Sequence, residues 1–170
     1  MSGALQDLRV IDFTHALAGP FCVMLLGHLG ADIIKVEPPN GDEFRRIWMQ
    51  PGATTDAYES LWINVNKKSI VLNLKNQKGV EIARKLIARA DVFIQNLAPG
   101  AARRLGLAAD TLLAAHPRLV VCDISGYGDD GPYAHKKAYD LLVQSETGVL
   151  SVTGTPDTPS KVGISIADIA

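Results

Sequence analysis

Residues 8–36 read LRVIDFTHALAGPFCVMLLGHLGADIIKV, and this stretch decides the fold. Residues 8–13 and 33–36 are short apolar runs rich in strand-forming residues. The segment between them predicts a helix, because Pro20 suits the first turn and Gly30 suits a C-terminal stop. A strand, a helix and a second strand in this order predict a βαβ unit with parallel strands.

The rest of the chain continues the alternation of strands and helices. Residues 76–90 are the clearest helix, since apolar side chains recur at three- and four-residue spacing and charges fill the other face. We expect a polar loop over 40–55, two strand-like pieces around a turn at Asn66–Lys68, strands at 91–96, 118–125 and 162–166, and helices at 101–107, 111–115 and 139–148. The fold class predicted is α/β, a Rossmann-like, open, mostly parallel sheet flanked by helices.

The amino-acid composition and the charge of the chain argue against several classes of function. The chain has 170 residues, of which 47% are hydrophobic and 21% charged, and a formal net charge of −1. This balance argues against nucleic acid or an anionic membrane as a partner. No basic segment followed by an apolar one opens the chain, which argues against secretion and for a cytoplasmic location. Cys22 and Cys122 form no CxxC pair and are interpreted as reduced, packed thiols.

A glycine motif follows the predicted strand 118–125. Residues 126–131, GYGDDG, match GxGxxG, the pattern with which dinucleotide-binding domains hold a pyrophosphate. Asp129 and Asp130 would place negative charge beside the phosphates, and Pro132 stands where a long helix should begin. We therefore interpret these residues as a structural turn and expect neither nicotinamide nor flavin; we also expect no metal.

Basic residues are dispersed over the predicted loops near the ends of strands and the starts of helices. In open α/β sheets ligands bind outside the carboxyl ends of the strands, so these cations would suit a ligand with several separate phosphates. Solvated surface charge explains them equally well. They are Lys67, Lys68, Lys75, Arg103, Arg104, Lys136 and Lys137.

Asp168 lies two residues before the last residue of the sequence and follows the predicted strand 162–166. The pattern favours a helix N-cap, worth about 1 kcal/mol, over a catalytic carboxylate. A nucleophilic role is chemically possible, because an aspartate is already ionised at neutral pH and carboxylates serve as covalent nucleophiles in held geometries.

Seven ordered segments give the chain a family likeness. It resembles the family III CoA-transferases, the CaiB/BaiF group that includes formyl-CoA transferase and the α-methylacyl-CoA racemases. The segments are LRVIDFTHALAGPFC (8–22), LGADIIKVEPPNGD (29–42), NVNKKSIVLNLK (64–75), ADVFIQNLAPGAARRLGL (90–107), HPRLVVCDISGYGDDGPY (116–133), KKAYDLLVQSETGVLSVTG (136–154) and VGISIADIA (162–170).

The resemblance implies a role for Asp168 as the nucleophile that attacks an acyl-CoA thioester and carries acyl and CoA intermediates. It implies CoA or acyl-CoA as the substrate, with Lys75, Arg104 and Lys137 supplying charge to phosphates and loop backbone holding the rest. The implied CoA-binding residues are Leu72, Asn73, Leu74, Lys75, Asn96, Leu97, Ala98, Arg104, Lys137, Ala138, Tyr139 and Asp140.

Three positions distinguish the chain from relatives of this kind. Leu17 stands where formyl-CoA transferases carry a glutamine, and Pro38 stands where they carry an arginine for the nucleotide. Tyr139 replaces the histidine of the racemases' Gly-His-Asp motif, and a tyrosine with a pKa near 10 is a poor α-proton base. Tyr139 thus favours a transferase over a racemase. Separately, residues 136–168 as a whole resemble transferases that act on small or branched dicarboxylates, such as itaconate, mesaconate, citramalate or succinate.

Family members are more than twice as long as this chain and form interlocked homodimers. The resemblance therefore implies that residues 1–170 are the N-terminal part of the large Rossmann-like CoA-binding domain, without the second domain and the C-terminal return segment. Such a fragment is expected to be inactive alone. An acyl-CoA racemase, isomerase or dehydratase of the same family, and a non-catalytic CoA-binding α/β fragment, are the alternatives.

Overall fold

A computed structural model describes residues 3–47 and 56–169 of the chain. The chain divides into two compact units, one ending at Ile124 and one beginning at Ser125. Part of the predicted loop 40–55, residues 48–55, lies outside the described residues.

The first unit is an α/β sandwich whose elements alternate along the chain. Its five strands form one parallel sheet, as the sequence predicts, and the structure gives their order as β3-β2-β1-β4-β5. The elements are β1 (Arg9–Phe13), α1 (Ala18–His28), β2 (Asp32–Glu37), a 3₁₀ turn (Glu43–Arg45), α2 (Tyr58–Ile63), β3 (Lys67–Val71), α3 (Gln77–Ile87), β4 (Val92–Gln95), α4 (Ala101–Leu105), α5 (Ala109–Ala115) and β5 (Val120–Asp123).

Alternate side chains of the central strands enter two separate cores. Ile11, Phe13 and Phe93 face a cluster that includes Ala83 and Ile87 of α3. The alternate residues of the same strands point to the opposite face of the sheet. They belong to a second cluster there: Val10, Val23, Ala31, Ile33 and Ile94. Both faces of β1 and β4 are therefore buried, as expected of parallel strands between layers of helices.

Two sequence predictions about secondary structure are wrong. The first strand-like piece before the turn at Asn66 is part of helix α2, which has Ser60 and Ile63 as its buried residues. Asn66 itself adopts φ 63° and leads directly into β3. The predicted strand 162–166 is irregular up to Ser165, because its backbone is bent at Gly163 and Ile164 rather than paired with another strand.

The second unit is small and contains short elements. They are α6 (Asp140–Glu146), a 3₁₀ turn (Val149–Val152), an antiparallel pair β6 (Gly154–Thr155) and β7 (Thr158–Pro159), and α7 (Ile166–Ile169). None of the helices in the described part of the chain is long and apolar enough to cross a membrane.

Candidate CoA site and the Asp168 segment

The strand order reverses direction between β1 and β4, and the loops that follow these two strands meet there. In sheets of this topology the crevice at the carboxyl ends of the strands at this switch point is the usual place for a ligand. The loop after β1 carries His15 and Leu17, and the loop after β4 carries Asn96, Leu97 and Ala98.

Asn96 joins the two loops by a reciprocal pair of hydrogen bonds. Its Oδ1 accepts the backbone N–H of His15 at 2.8 Å, and its Nδ2 donates to the His15 carbonyl at 2.9 Å. The side-chain amide is thereby committed within the protein. The two hydrogen bonds hold in place the loop whose backbone the sequence predicts to bind CoA.

A buried ionic network supports the loop after β1. The ammonium group of Lys35 donates to the Thr14 carbonyl at 2.7 Å and lies 3.1 Å from Oδ2 of Asp42, with Lys35 and Asp42 both buried. Lys67 lies 3.4 Å from Oδ2 of Asp12, and burial lowers the pKa of Lys67 to about 8 although that carboxylate opposes the shift. These contacts hold a loop in which Ala16 adopts φ 62°.

The loop Leu72–Lys75 follows β3 and is fixed from both sides. Leu72 is buried in the core and donates its N–H to the carbonyl of Glu37 at 2.9 Å. Asn73 accepts the N–H of Lys75 through its side chain at 3.0 Å. Gly79 of α3 packs directly against the Asn73 backbone, where any Cβ would overlap the carbonyl. Leu72 therefore serves the core, while Lys75 is left exposed.

Lys75 and Arg104 line one groove of about 390 Å³ in the first unit. Arg84 of α3 and Glu81 lie in the same groove, so three cations face one carboxylate. Arg84 donates to the Leu105 carbonyl at 3.0 Å, which ties α3 to the helix that carries Arg104. The groove has the size and sign of charge that a phosphate-bearing ligand needs.

The basic residues named from the sequence fall into two groups. Four of them pair with a carboxylate: Lys67 with Asp12, Lys68 with Asp32, Arg103 with Asp110, and Lys136 with Glu146. Within residues 3–47 and 56–169, no carboxylate pairs with Lys75, Arg104 or Lys137. Lys68, Arg103 and Lys136 are thus paired at the surface, Lys67 belongs to a buried ion pair, and three cations remain for a ligand.

The glycine motif of the second unit is a turn, as the sequence analysis proposes. Gly128 and Gly131 adopt φ 80° and 81°, and the next α-helix begins only at Asp140. Gly126 packs against Ala138 so closely that a Cβ on Gly126 would overlap the methyl group of Ala138. Gly126 of the motif therefore lies directly against Ala138, within the segment Lys137–Asp140.

Lys136, next to Lys137, is held by aromatic rings and a carboxylate. Its ammonium lies 4.8 Å from the Tyr133 ring centre and 5.6 Å from that of Tyr127, and it pairs with Glu146. Tyr127 also donates its hydroxyl to Glu146 at 2.6 Å. Lys136 is thereby used structurally, and its neighbour Lys137 stays exposed.

Asp168 lies inside the short helix α7, whose first residue is Ile166. The N-cap interpretation is therefore wrong, because Asp168 donates its own N–H to the Ser165 carbonyl at 3.1 Å, within the first helical turn. Burial raises the pKa of Asp168, and the nearby carboxylate of Asp140 raises it further. Asp168 is a half-buried carboxylate beside a second carboxylate.

Cys122 behaves as a packed thiol. Burial raises its pKa, so the thiol stays protonated at neutral pH. This agrees with the interpretation of Cys122 as structural.

The comparison with protein families decides the relationship. The family model described as "CoA-transferase family III" matches residues 5–170.

The chain belongs to CoA-transferase family III.

Named relatives and a solved structure agree with this assignment. The family III chain is 39% identical to the mouse protein named succinyl-CoA:glutarate CoA-transferase, over 98% of the chain and 38% of the relative. It is 42% identical to the Streptomyces avermitilis protein named formyl-CoA:oxalate CoA-transferase, over 94% of the chain and 38% of the relative. The chain thus spans about two fifths of the length of these relatives.

A solved structure carries the same fold. The crystal structure of a CaiB/BaiF family protein from Brucella suis superposes with a TM-score of 0.93 at 38% identity, covering 99% of the chain and 46% of the solved one. The α/β class and the family resemblance predicted from the sequence are confirmed.

Two polar residues of this family III chain were missed by sequence reasoning. Arg84 sits on the polar face of the amphipathic helix α3, where it resembled solvated charge. Gln144 lies in α6 and is completely buried. Its spacing of four residues from Asp140 is the one signal in the sequence that places the two side chains together on a helix.

Proposed function

We propose that the chain supplies the CoA-binding part of a CoA-transferase that moves CoA between an acyl-CoA and a free carboxylic acid. Asp168 carries the covalent intermediates, and Lys75, Arg104 and Lys137 bind phosphates. Residues 1–170 form the N-terminal part of the large domain of a longer polypeptide, which works as an interlocked homodimer in the cytoplasm.

This proposal rests on one observation: of the seven basic candidate residues, four pair with a carboxylate and three do not. CoA presents a 3′-phosphate and a pyrophosphate, so it needs several separate cations with free donors. Lys75, Arg104 and Lys137 are the three basic candidates that no carboxylate of the described residues neutralises. Lys75 and Arg104 already line one groove.

The proposed reaction consists of four successive nucleophilic substitutions at acyl carbonyl carbons. The Asp168 carboxylate attacks the donor thioester, which forms an acyl-aspartyl anhydride and releases the CoA thiolate. The thiolate attacks the aspartyl carbonyl, which releases the donor acid and leaves an aspartyl-CoA thioester. The acceptor carboxylate displaces CoA to form a second anhydride, and the thiolate then attacks the acceptor's acyl carbonyl. The new acyl-CoA leaves and the Asp168 carboxylate is restored.

The environment of Asp168 suits this role. A raised pKa makes the ionised carboxylate more basic and a better nucleophile, provided that it is still deprotonated at the working pH. The covalent steps divide one difficult exchange into easier ones, with a thiolate as a good leaving group.

A small or branched dicarboxylate is the proposed acceptor. Itaconate, mesaconate, citramalate and succinate are acids of this type. Support comes from the overall likeness and from the mouse and human relatives, which are named for succinyl-CoA and glutarate.

The test measures CoA transfer by the full-length polypeptide that carries this chain. We expect transfer from succinyl-CoA to a dicarboxylate, with loss of turnover in Asp168→Ala and little change in Asp157→Ala, a substitution in the β6–β7 turn. Deuterium exchange at the α-carbon without transfer would instead indicate a racemase or a related isomerase. CoA binding without either reaction would indicate a non-catalytic CoA-binding module.

A further inference from the structure

The side-chain amide of Gln144 is buried, and both its nitrogen and its oxygen make hydrogen bonds. Its Nε2 donates to Oδ2 of Asp140 at 2.7 Å, one helical turn earlier on α6. Its Oε1 accepts the backbone N–H of Val162 at 3.2 Å, in the irregular segment that leads to α7. A completely buried amide without partners would be costly, so these two contacts fix its position.

The second oxygen of Asp140 continues the connection. Oδ1 accepts the backbone N–H of Ala167 at 3.0 Å. Ala167 is the second residue of α7, where a backbone N–H has no partner within the helix, and Asp140 satisfies it from outside. Two hydrogen bonds thus join α6 to Val162 and to Ala167, on either side of the bent stretch that precedes Asp168, and a third within α6 links their two acceptors, Gln144 and Asp140.

We propose that Gln144 is a positioning residue for the reaction: through Asp140 it fixes the backbone on which the nucleophilic carboxylate of Asp168 is carried. This inference rests on the proposed function of Asp168. It also gives Asp140 a structural role, because each of its carboxylate oxygens accepts a hydrogen bond from the protein. Asp140 then acts on Asp168 as a neighbouring charge and as a backbone anchor.

The same contacts place the polar side chain of Gln144 directly against the Asp140 carboxylate. The amide N–H of Gln144 and the backbone N–H of Ala167 both donate to the Asp140 carboxylate. Among the elements that contact α6, α7 brings Asp168 and the 3₁₀ turn Val149–Val152 brings no ionisable side chain. Glu146 on α6 is engaged by Lys136 and Tyr127. Asp140 and Asp168 are therefore the carboxylates that a charge at position 144 would affect first.

Two substitutions at position 144 separate positioning from plain stability. Gln144→Leu keeps the approximate size but removes both hydrogen bonds. Gln144→Glu keeps the acceptor for Val162 but sets a carboxylate against Asp140, and protonation of the introduced carboxyl group at lower pH restores a donor to Oδ2 of Asp140. Ser145→Ala is the matched control, since Ser145 is the exposed neighbour and bonds only within its own helix.

The experiment measures steady-state transfer with the full-length transferase and amide hydrogen exchange with the 170-residue chain. For Gln144→Leu we expect kcat to fall roughly 10- to 100-fold with a nearly unchanged KM for acyl-CoA, and faster exchange at Val162 and Ala167. For Gln144→Glu we expect the ratio of its kcat to that of the wild type to rise as the pH falls. Loss of folding would produce no such recovery.

The inference is overturned if Gln144→Leu turns over like the wild type while Asp168→Ala is inactive. A constant ratio for Gln144→Glu at every pH would also overturn it. Failure of the proposed function looks different: Asp168→Ala would then retain transfer activity.

Discussion

The carboxylate of Asp140 accepts the backbone N–H of Ala167 at 3.0 Å, and Ala167 immediately precedes Asp168. One carboxylate thus anchors the chain next to the other and lies close enough to affect its ionisation. The arrangement couples the placement of Asp168 to its acid–base properties.

Removing the charge of Asp140 should lower the pKa of Asp168. The Asp140 carboxylate disfavours a second negative charge nearby and so raises the pKa of Asp168. Asp140→Asn removes this effect, and only burial then raises the pKa of Asp168. Carboxyl NMR titration of the 170-residue chain measures the shift. Asp157→Asn should leave the pKa of Asp168 where it is, and an upward shift in Asp140→Asn would refute the coupling.

Gly79→Ala should destabilise the loop Leu72–Lys75 and weaken CoA binding. Alanine normally stabilises a helix by about 0.5–1 kcal/mol relative to glycine. At Gly79 the new methyl group would overlap the Asn73 carbonyl, so we expect a net loss of stability in thermal unfolding.

Gly27→Ala in α1 is the matched control for Gly79→Ala. Its added Cβ would lie 3.5 Å from Ile33 and 3.7 Å from Asn66, which are ordinary contacts. We expect Gly27→Ala to be neutral or stabilising. Equal effects of the two substitutions on unfolding would contradict the close approach at Asn73.

Charge removal in the groove should weaken CoA binding in a salt-dependent manner. Lys75→Ala and Arg104→Ala should each raise the Kd for CoA by about three- to tenfold at low ionic strength, with a smaller difference at high salt. Lys85→Ala, on α3 but outside the groove, is the control. Calorimetry with the 170-residue chain measures the effect, and equal losses in all three variants would indicate non-specific attraction.

Glu37 should give the chain an acid-sensitive stability. Burial opposes its ionisation, but hydrogen bonds from Arg45, Ser69 and the Asp42 N–H outweigh burial and lower its pKa from 4.5 to about 2. The stabilisation is therefore present above pH 4.5 and is lost as the pH falls towards 2.

Glu37→Gln is the variant that tests this linkage. It should lower the free energy of unfolding near neutral pH by about 2–3 kcal/mol and flatten its pH dependence in the acid range. The exposed Glu43→Gln should retain the wild-type pH dependence. Denaturant unfolding at several pH values measures both, and a Glu37→Gln curve parallel to the wild type would refute the assignment.

The centre of the sheet was predictable from the sequence because β1 and β4 are buried on both faces and α1 carries clear start and stop residues. Helix α2 was missed because Trp62, Ile63 and Val65 are β-favouring residues in a short run, and tertiary packing of Ser60 and Ile63 decided the outcome. Which lysines are paired could not be predicted either. Asp12 meets Lys67 only because β1 and β3 flank β2 in space, far apart in sequence.

The segment that leads to Asp168 was also mispredicted because its conformation depends on contacts with residues distant in sequence. Alternating residues 162–166 suggested a strand, but strands need a neighbouring strand, and the backbone N–H of Val162 is bound by Gln144 instead. The family resemblance supplied the candidate role of Asp168. The contacts to Asp140 and Gln144, which place that carboxylate, came from the structure alone.

Trapping the covalent intermediate tests the central claim most directly. The full-length transferase is mixed with succinyl-CoA, quenched, digested and examined by mass spectrometry. We predict a peptide containing Asp168 that is heavier by CoA minus water and is absent in Asp168→Asn. An unmodified Asp168 peptide during active turnover, or an adduct on another residue, would contradict the account.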